Sequence, residues 1–338
     1  MVRRLLNILA LLAVMAGAQA ASADSIDELL AGNLDPVSFD YGTLRDRPDA
    51  EAFLAMAETR VQRAILSRQG VADNVAWNAA RLTRCMTEPE LAMLKGVASA
   101  QKAGTSAAWR AARAEADVLA AKRRELRARL FAGEVSPHPE LRGVQRRLKL
   151  ARDAGDPALA ELFRRSADDN FARALIMRGS RPFWAPDASL AALDLDDAAA
   201  MRALCLADEA NQAWLKTTIA KRGWFRISRD GEEADAAAWL IAQHADYDPA
   251  FQQEILGVLE DHLANEDTDA SGYAYLYDRV AVNTGRLQRY ATQGYCAAPG
   301  EWLPDPLEDP GGVEARRTAM GVIPSLAEYR VLMSSYCP

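Results

Sequence analysis

"AWLIAQHADYDPAFQQ" occupies residues 238–253, and its reading decides how the C-terminal half is built. Ala236, Trp239, Leu240 and Gln243 recur at helical spacing, and His244 follows four residues after Leu240. The chain then turns at His244–Asp248. Asp248 followed by Pro249 predicts a new helix: the carboxylate accepts from an orphan backbone N–H, and proline suits the first turn. In that helix Phe251, Ile255, Val258, Leu259 and His262 share one face. A third helix, "YAYLYDRVAVNTG", would bury Tyr273, Leu276, Tyr277 and Val280 and end at Gly285.

Moving outward, the helical pattern persists. Phe53, Met56, Val61 and Ile65 lie near one face, and Trp109, Ala112, Ala116, Leu119, Leu126 and Leu130 recur by threes and fours. The Arg cluster of 123–129 reads as a solvated face. Gly155-Asp156-Pro157 supplies a stop, a cap and a helix start, and the domain boundary is placed there. A long helix over "LDDAAAMRALCLADEANQAWLKTTIAKRG" ends at Gly223. Strand signals are sparse, with "GWFRIS" as one short extended piece. The fold class expected is mainly α, an antiparallel helical bundle or hairpins, with an irregular Pro-rich C-terminal tail. The chain divides into a leader (1–23), an N-terminal helical region (24–156) and a C-terminal helical domain (157–338).

The leader reads "MVRRLLNILALLAVMAGAQAASA": Arg3 and Arg4, an apolar run, then small residues suited to cleavage. It implies a periplasmic or secreted mature protein with no membrane span after cleavage. Outside the cytosol, Cys85, Cys205, Cys296 and Cys337 suggest two disulfides rather than free thiols. Four cysteines allow three pairings; Cys296 with Cys337 is favoured because it would staple the tail. A net charge of −7 gives no general attraction to nucleic acid. Only three histidines exist, His138, His244 and His262, which argues against a site with several His ligands. Phosphate loops, dinucleotide fingerprints and hydrolase elbows are missing.

The blocks "NQAWLKTTIAKRGW", "AWLIAQHADYDPAFQ", "YAYLYDRVAVNTGRLQRYATQ" and "DPGGVEARRTAMGVIPSLAEY" resemble a bacterial family known only as a domain of unknown function. The resemblance runs from about Ala160 to Met333. It departs at Phe225, Leu287 and Ala291, where the family tends to have proline, proline and glycine. It implies an all-helical domain and carries no activity.

Polar residues are concentrated in these blocks: Gln243, His244, Asp246, Gln252, Asp278, Arg279, Asn283, Gln288, Tyr290 and Gln293. If three helices bring them together they line one pocket. There His244 would be a general base, with Asp246 or Asp278 fixing its tautomer. Arg279 and the amides would hold a polar or anionic small ligand. No cofactor is expected. A metal site from His244, Asp246 and Asp248 is set aside because the helix cap claims Asp248. In the bland alternative the same groups form a structural network, with His244 at a helix C-terminus where the dipole favours a cation. The sequence therefore points to an exported binding or interaction module for a small ligand or an envelope protein. The alternative is an envelope hydrolase or lyase that activates water through His244.

Overall fold

A computed structural model describes residues 25–72, 74, 75, 77, 82–176 and 182–337. The leader lies outside the described residues. Among these residues the secondary structure is helical apart from one two-stranded antiparallel sheet. None of the helices is long and apolar enough to cross a membrane.

The chain forms two compact units that interleave in sequence. The first comprises the chain up to Arg68, Met86–Ala121 and Asp187–Ala199; the second comprises Gln69–Cys85, Lys122–Pro186 and Ala200–Pro338. The turn at Gly155–Pro157 falls inside the second unit, between two helices that pack on one another.

The first unit contains α1 (Ser25–Ala31), α2 (Ala50–Arg68), α3 (Glu88–Ala103) and the start of α4 (Ser106–Phe131). Thr87 and Glu90 form a reciprocal capping box that starts α3. Phe53, Leu54, Val61 and Ile65 of α2 and Leu91, Met93 and Val97 of α3 are buried, as their spacing requires. Gly96 is the point of closest approach. A Cβ there would stand 2.5 Å from the Tyr41 ring, which is itself buried. Gly96→Ala is therefore expected to cost about 1–3 kcal/mol through overpacking, despite alanine's better helix propensity. Urea unfolding checks this; a neutral or stabilising result would show that Tyr41 can move aside.

The second unit contains α5 (Arg142–Asp153), α6 (Pro157–Ile176), most of α7 (Leu190–Arg222), α8 (Ile227–Asp230), α9 (Glu232–Gln243), α10 (Pro249–Leu263) and α11 (Ala270–Asn283). Its main core joins Leu162 and Phe163 of α6 and Leu215 of α7 to Phe225. Ile241 of α9, Phe251 and Ile255 of α10 and Leu276 of α11 complete it. Each such side chain contributes about 1.5–3 kcal/mol on burial. Buried Asp235 ties this core together. It accepts from Trp224 Nε1 (2.7 Å), Thr268 Oγ1 (2.9 Å) and the Asp269 backbone N–H (3.0 Å). The piece "GWFRIS" is not a strand: residues 223–226 carry no regular structure and α8 follows at once.

The C-terminal tail is more ordered than its proline content suggests. β1 (Gly294–Ala298) and β2 (Glu301–Pro304) form a hairpin, followed by α12 (Val313–Ala319) and α13 (Leu326–Ser334). A Cβ on Gly294 would stand 2.3 Å from the Leu303 carbonyl oxygen, so only glycine allows this pairing. Buried Arg317 donates to the carbonyls of Tyr290 (2.7 Å) and Pro324 (2.6 Å), which anchors α12. Two disulfides are present: Cys296–Cys337, the favoured pairing, and Cys85–Cys205.

Candidate functional site

The second unit contains an open pocket of about 690 Å³. It is built around the turn between α9 and α10. His244 ends α9, its N–H donating to the Leu240 carbonyl, and Asp248 caps α10 by accepting from Phe251 N–H at 2.9 Å. Asp248 also accepts from Gln212 (2.6 Å) and Lys216 (2.5 Å) of α7, which fixes the turn against that helix. Gln252, fully buried, donates to the carbonyls of Ala242 (3.3 Å) and Gln243 (2.8 Å) and so satisfies the end of α9. The five residues from His244 to Asp248 are thus held at both ends, and three of them, His244, Asp246 and Tyr247, line the pocket.

Asp246 meets Arg279 of α11 in a two-pronged ion pair, Nε at 2.7 Å and Nη2 at 2.5 Å. Gln252 and Asn283 each donate to the same carboxylate at 3.3 Å. Burial opposes its charge, but the guanidinium prevails and holds the Asp246 carboxyl below its usual range.

His244 Nδ1 lies 3.0 Å from Asp169 Oδ1 of α6, a carboxylate only 1 % exposed. Its Nε2 lies 3.3 Å from the Gln243 amide nitrogen. This pattern assigns a neutral ring that donates from Nδ1 to Asp169 and accepts at Nε2 from Gln243. The residue that orients His244 is therefore Asp169, in place of the expected Asp246 or Asp278. Arg173, one turn further along α6, donates to Asp169 Oδ1 (2.5 Å) and grips both oxygens of Asp208 of α7 at 3.2 and 2.9 Å.

Burial pushes the His244 imidazole below its ordinary value, against the pull of Asp169. Burial pushes the Asp208 carboxyl up to about 7, with Asp169 adding to the effect and Arg173 opposing it. Asp169 is also buried, but His244 and Arg173 bring it below the usual carboxylate range. Of the two carboxyls, Asp208 therefore holds a proton more readily, because Asp169 has the better cationic and donor partners. The two displaced groups act oppositely on stability. A depressed His244 withdraws stability as pH falls below 6.5. A raised Asp208 supplies stability in acid that is lost as pH rises from 3.8 to about 7. With three histidines in the chain, an NMR titration of the ring signals in chelator-containing buffer is direct. The signal that vanishes in His244→Gln is expected to titrate below the ordinary histidine value. A midpoint at or above 6.5 would contradict the buried neutral ring.

Of the ten residues picked out from sequence, His244, Asp246, Arg279, Asn283 and Gln293 line the pocket. Gln243 and Gln252 stand behind it through the contacts just given. Asp278, Gln288 and Tyr290 form a separate cluster. Asp278 is fully buried, and its carboxylate accepts from the backbone N–H groups of Arg289 (2.7 Å), Tyr290 (3.1 Å) and Thr292 (2.9 Å) and from the Thr292 hydroxyl (3.0 Å). Burial raises its pKa, while these donors favour the anion. Ala291 in this loop has φ 55°, the left-handed region that glycine adopts without a Cβ penalty. Gln288 donates to the carbonyls of Gln293 (2.9 Å) and Asp305 (2.7 Å) and tethers the hairpin. Buried Tyr290 packs edge-on to Tyr277 at 5.9 Å. This cluster is a staple for the tail.

Three residues escaped sequence reasoning: Asp169, Arg173 and Asp208. A signal existed. Leu162, Ser166, Asp169 and Arg173 follow one another at helical spacing, and the first three are buried, so an acid sits on an apolar stripe. Such a placement requires a partner.

The geometry defines a helical domain with a charged, carboxylate-rich pocket. Residues 186–337 match a family described as "Family of unknown function (DUF6624)". The match takes in α7 to α13, and the α6 wall that carries Asp169 and Arg173 lies outside it. Comparison with curated proteins and with solved structures gives no match.

Proposed function

We propose that the second unit is a binding module for a small polar ligand, seated in the pocket beside His244. One observation carries this reading: five polar residues singled out from sequence converge with Arg173 and Asp208 on a single pocket of about 690 Å³. That volume falls in the range of small-molecule sites. Its ion pairs are formed already, so the polar groups are pre-organised and ordering them costs little on binding. Carboxylate and guanidinium stand side by side, which suits a ligand offering both donors and acceptors. We place this module outside the cytosol. Two disulfides and the leader-like composition of residues 1–23 support that.

The test is a binding screen with metabolites and cell-wall fragments, read by thermal shift and native mass spectrometry in chelator-containing buffer. The comparison protein is Asn283→Ala/Gln293→Ala, whose side chains make few structural bonds. A ligand that raises the Tm of the wild-type chain but not of the double variant supports the pocket. Equal shifts in both would move the site elsewhere.

A second reading is favoured by the 3.0 Å contact of Asp169 with His244. A buried carboxylate behind a neutral imidazole is the arrangement of a general base. On this reading the module is a hydrolase or lyase in which His244 Nε2 takes a proton from water once a ligand displaces the Gln243 amide. Turnover of a bound compound, abolished in His244→Gln with binding retained, separates it from simple capture.

A further inference from the structure

We propose that Asp169, Asp208 and His244 form a site for one divalent transition-metal ion on the wall of this pocket, which deepens the binding reading above. One ligand atom from each residue, a carboxylate oxygen or a ring nitrogen, lies within 4.8 Å of the other two. The three residues come from α6, α7 and the end of α9, so secondary structure holds the set in place. One imidazole and two carboxylates are donors suited to zinc, manganese or iron(II).

A second observation points to a ligand. Asp169 is 1 % exposed, and its Oδ2 is sealed from solvent with no N–H or hydroxyl donor on it among the described residues; the Asp208 carboxyl can donate to Asp169 only while it is protonated. A bare carboxylate oxygen in the interior is costly, and native structures seldom leave one. A metal ion would supply the missing partner. Asp208 and His244 line the pocket, so coordination positions on that side would remain open to water or to a small ligand. Arg173 holds both carboxyls; when both are ionised it offsets one of their two charges and leaves a net negative cluster around a neutral ring. The longest contact of Arg173 here, 3.2 Å to Asp208 Oδ1, is the one an incoming ion would replace. This set differs from the combination of His244, Asp246 and Asp248 that the sequence suggests: Asp246 is taken by Arg279, and Asp248 by its cap, Gln212 and Lys216.

The experiment uses the full mature chain, stripped with chelator and then dialysed against Zn²⁺ or Mn²⁺. Retained metal is measured by elemental mass spectrometry and affinity by calorimetry. One ion per chain is expected. Asp208→Asn and His244→Gln should each weaken binding by at least about tenfold, while Asn283→Ala, on the same pocket but outside the set, should bind as the wild type does. Circular dichroism establishes that each variant is folded. A wild-type chain that retains no metal, or variants that bind as tightly as it does, would overturn the site. The organic-ligand screen runs without metal, so the two readings fail separately. Ligand capture with no metal retention overturns only the metal site; metal retention with no organic ligand upholds it and leaves the metal as the pocket's occupant.

Discussion

Replacing Cys85 and Cys205 together by alanine is expected to lower the stability of the second unit by about 2–5 kcal/mol. The bond joins residues 120 apart in sequence, against 41 for Cys296–Cys337. Closing the longer loop removes more conformational freedom from the unfolded chain. The matching Cys296→Ala/Cys337→Ala protein should therefore lose about 1 kcal/mol less. Cys205 also lines the pocket, so its loss loosens the wall next to Asp208. Urea unfolding of the two double variants beside the wild type gives the comparison. If the shorter loop proves the more stabilising, chain entropy is not what ranks these bonds.

Asp278→Ala is expected to cost about 3–5 kcal/mol. The substitution leaves the backbone N–H groups of Arg289, Tyr290 and Thr292 without their acceptor, and hydrogen bonds to a buried charge contribute about 1.5–3 kcal/mol each. Asp278→Asn keeps one acceptor oxygen and should fall between. The damage should appear in the hairpin and α12, which hang on this loop through Gln288 and Arg317. Denaturant midpoints with hydrogen exchange of residues 286–320 measure both effects. A loss under about 1 kcal/mol would mean that water replaces the carboxylate freely and that the staple contributes little. Because Asp278 lies away from the pocket, metal retention by the folded fraction should be unchanged.

The same elements show where sequence reading succeeds and where it stops. The break at His244–Asp248 was legible because a helix cap is local: Asp248 and Pro249 act within one turn, and the structure has that cap. The Cys296–Cys337 pairing was legible because few other constraints act on a short tail. The hairpin at 294–304 was not, since Gly294 and Pro304 are poor strand formers and the packing of Trp302 of β2 on Tyr329 and Met333 of α13 supports the pairing. Asp278 looked like a site residue because an acid beside an arginine is the same dipeptide whether it faces a ligand or a loop. Which way it faces depends on chain that returns eleven to fourteen residues later.

Local chemistry thus determined the helices, their caps and the polar identity of the α9–α10 turn. Those follow from periodicity, from proline and from a carboxylate near an orphan N–H. Tertiary structure alone decided which carboxylate meets His244, because Asp169 stands 75 residues away on α6 and only packing closes the gap to 3.0 Å. It also separated Asp246, on the pocket, from Asp278, in the core. Burial and pairing depend on what lies across the interior, and no single stretch of chain contains that information.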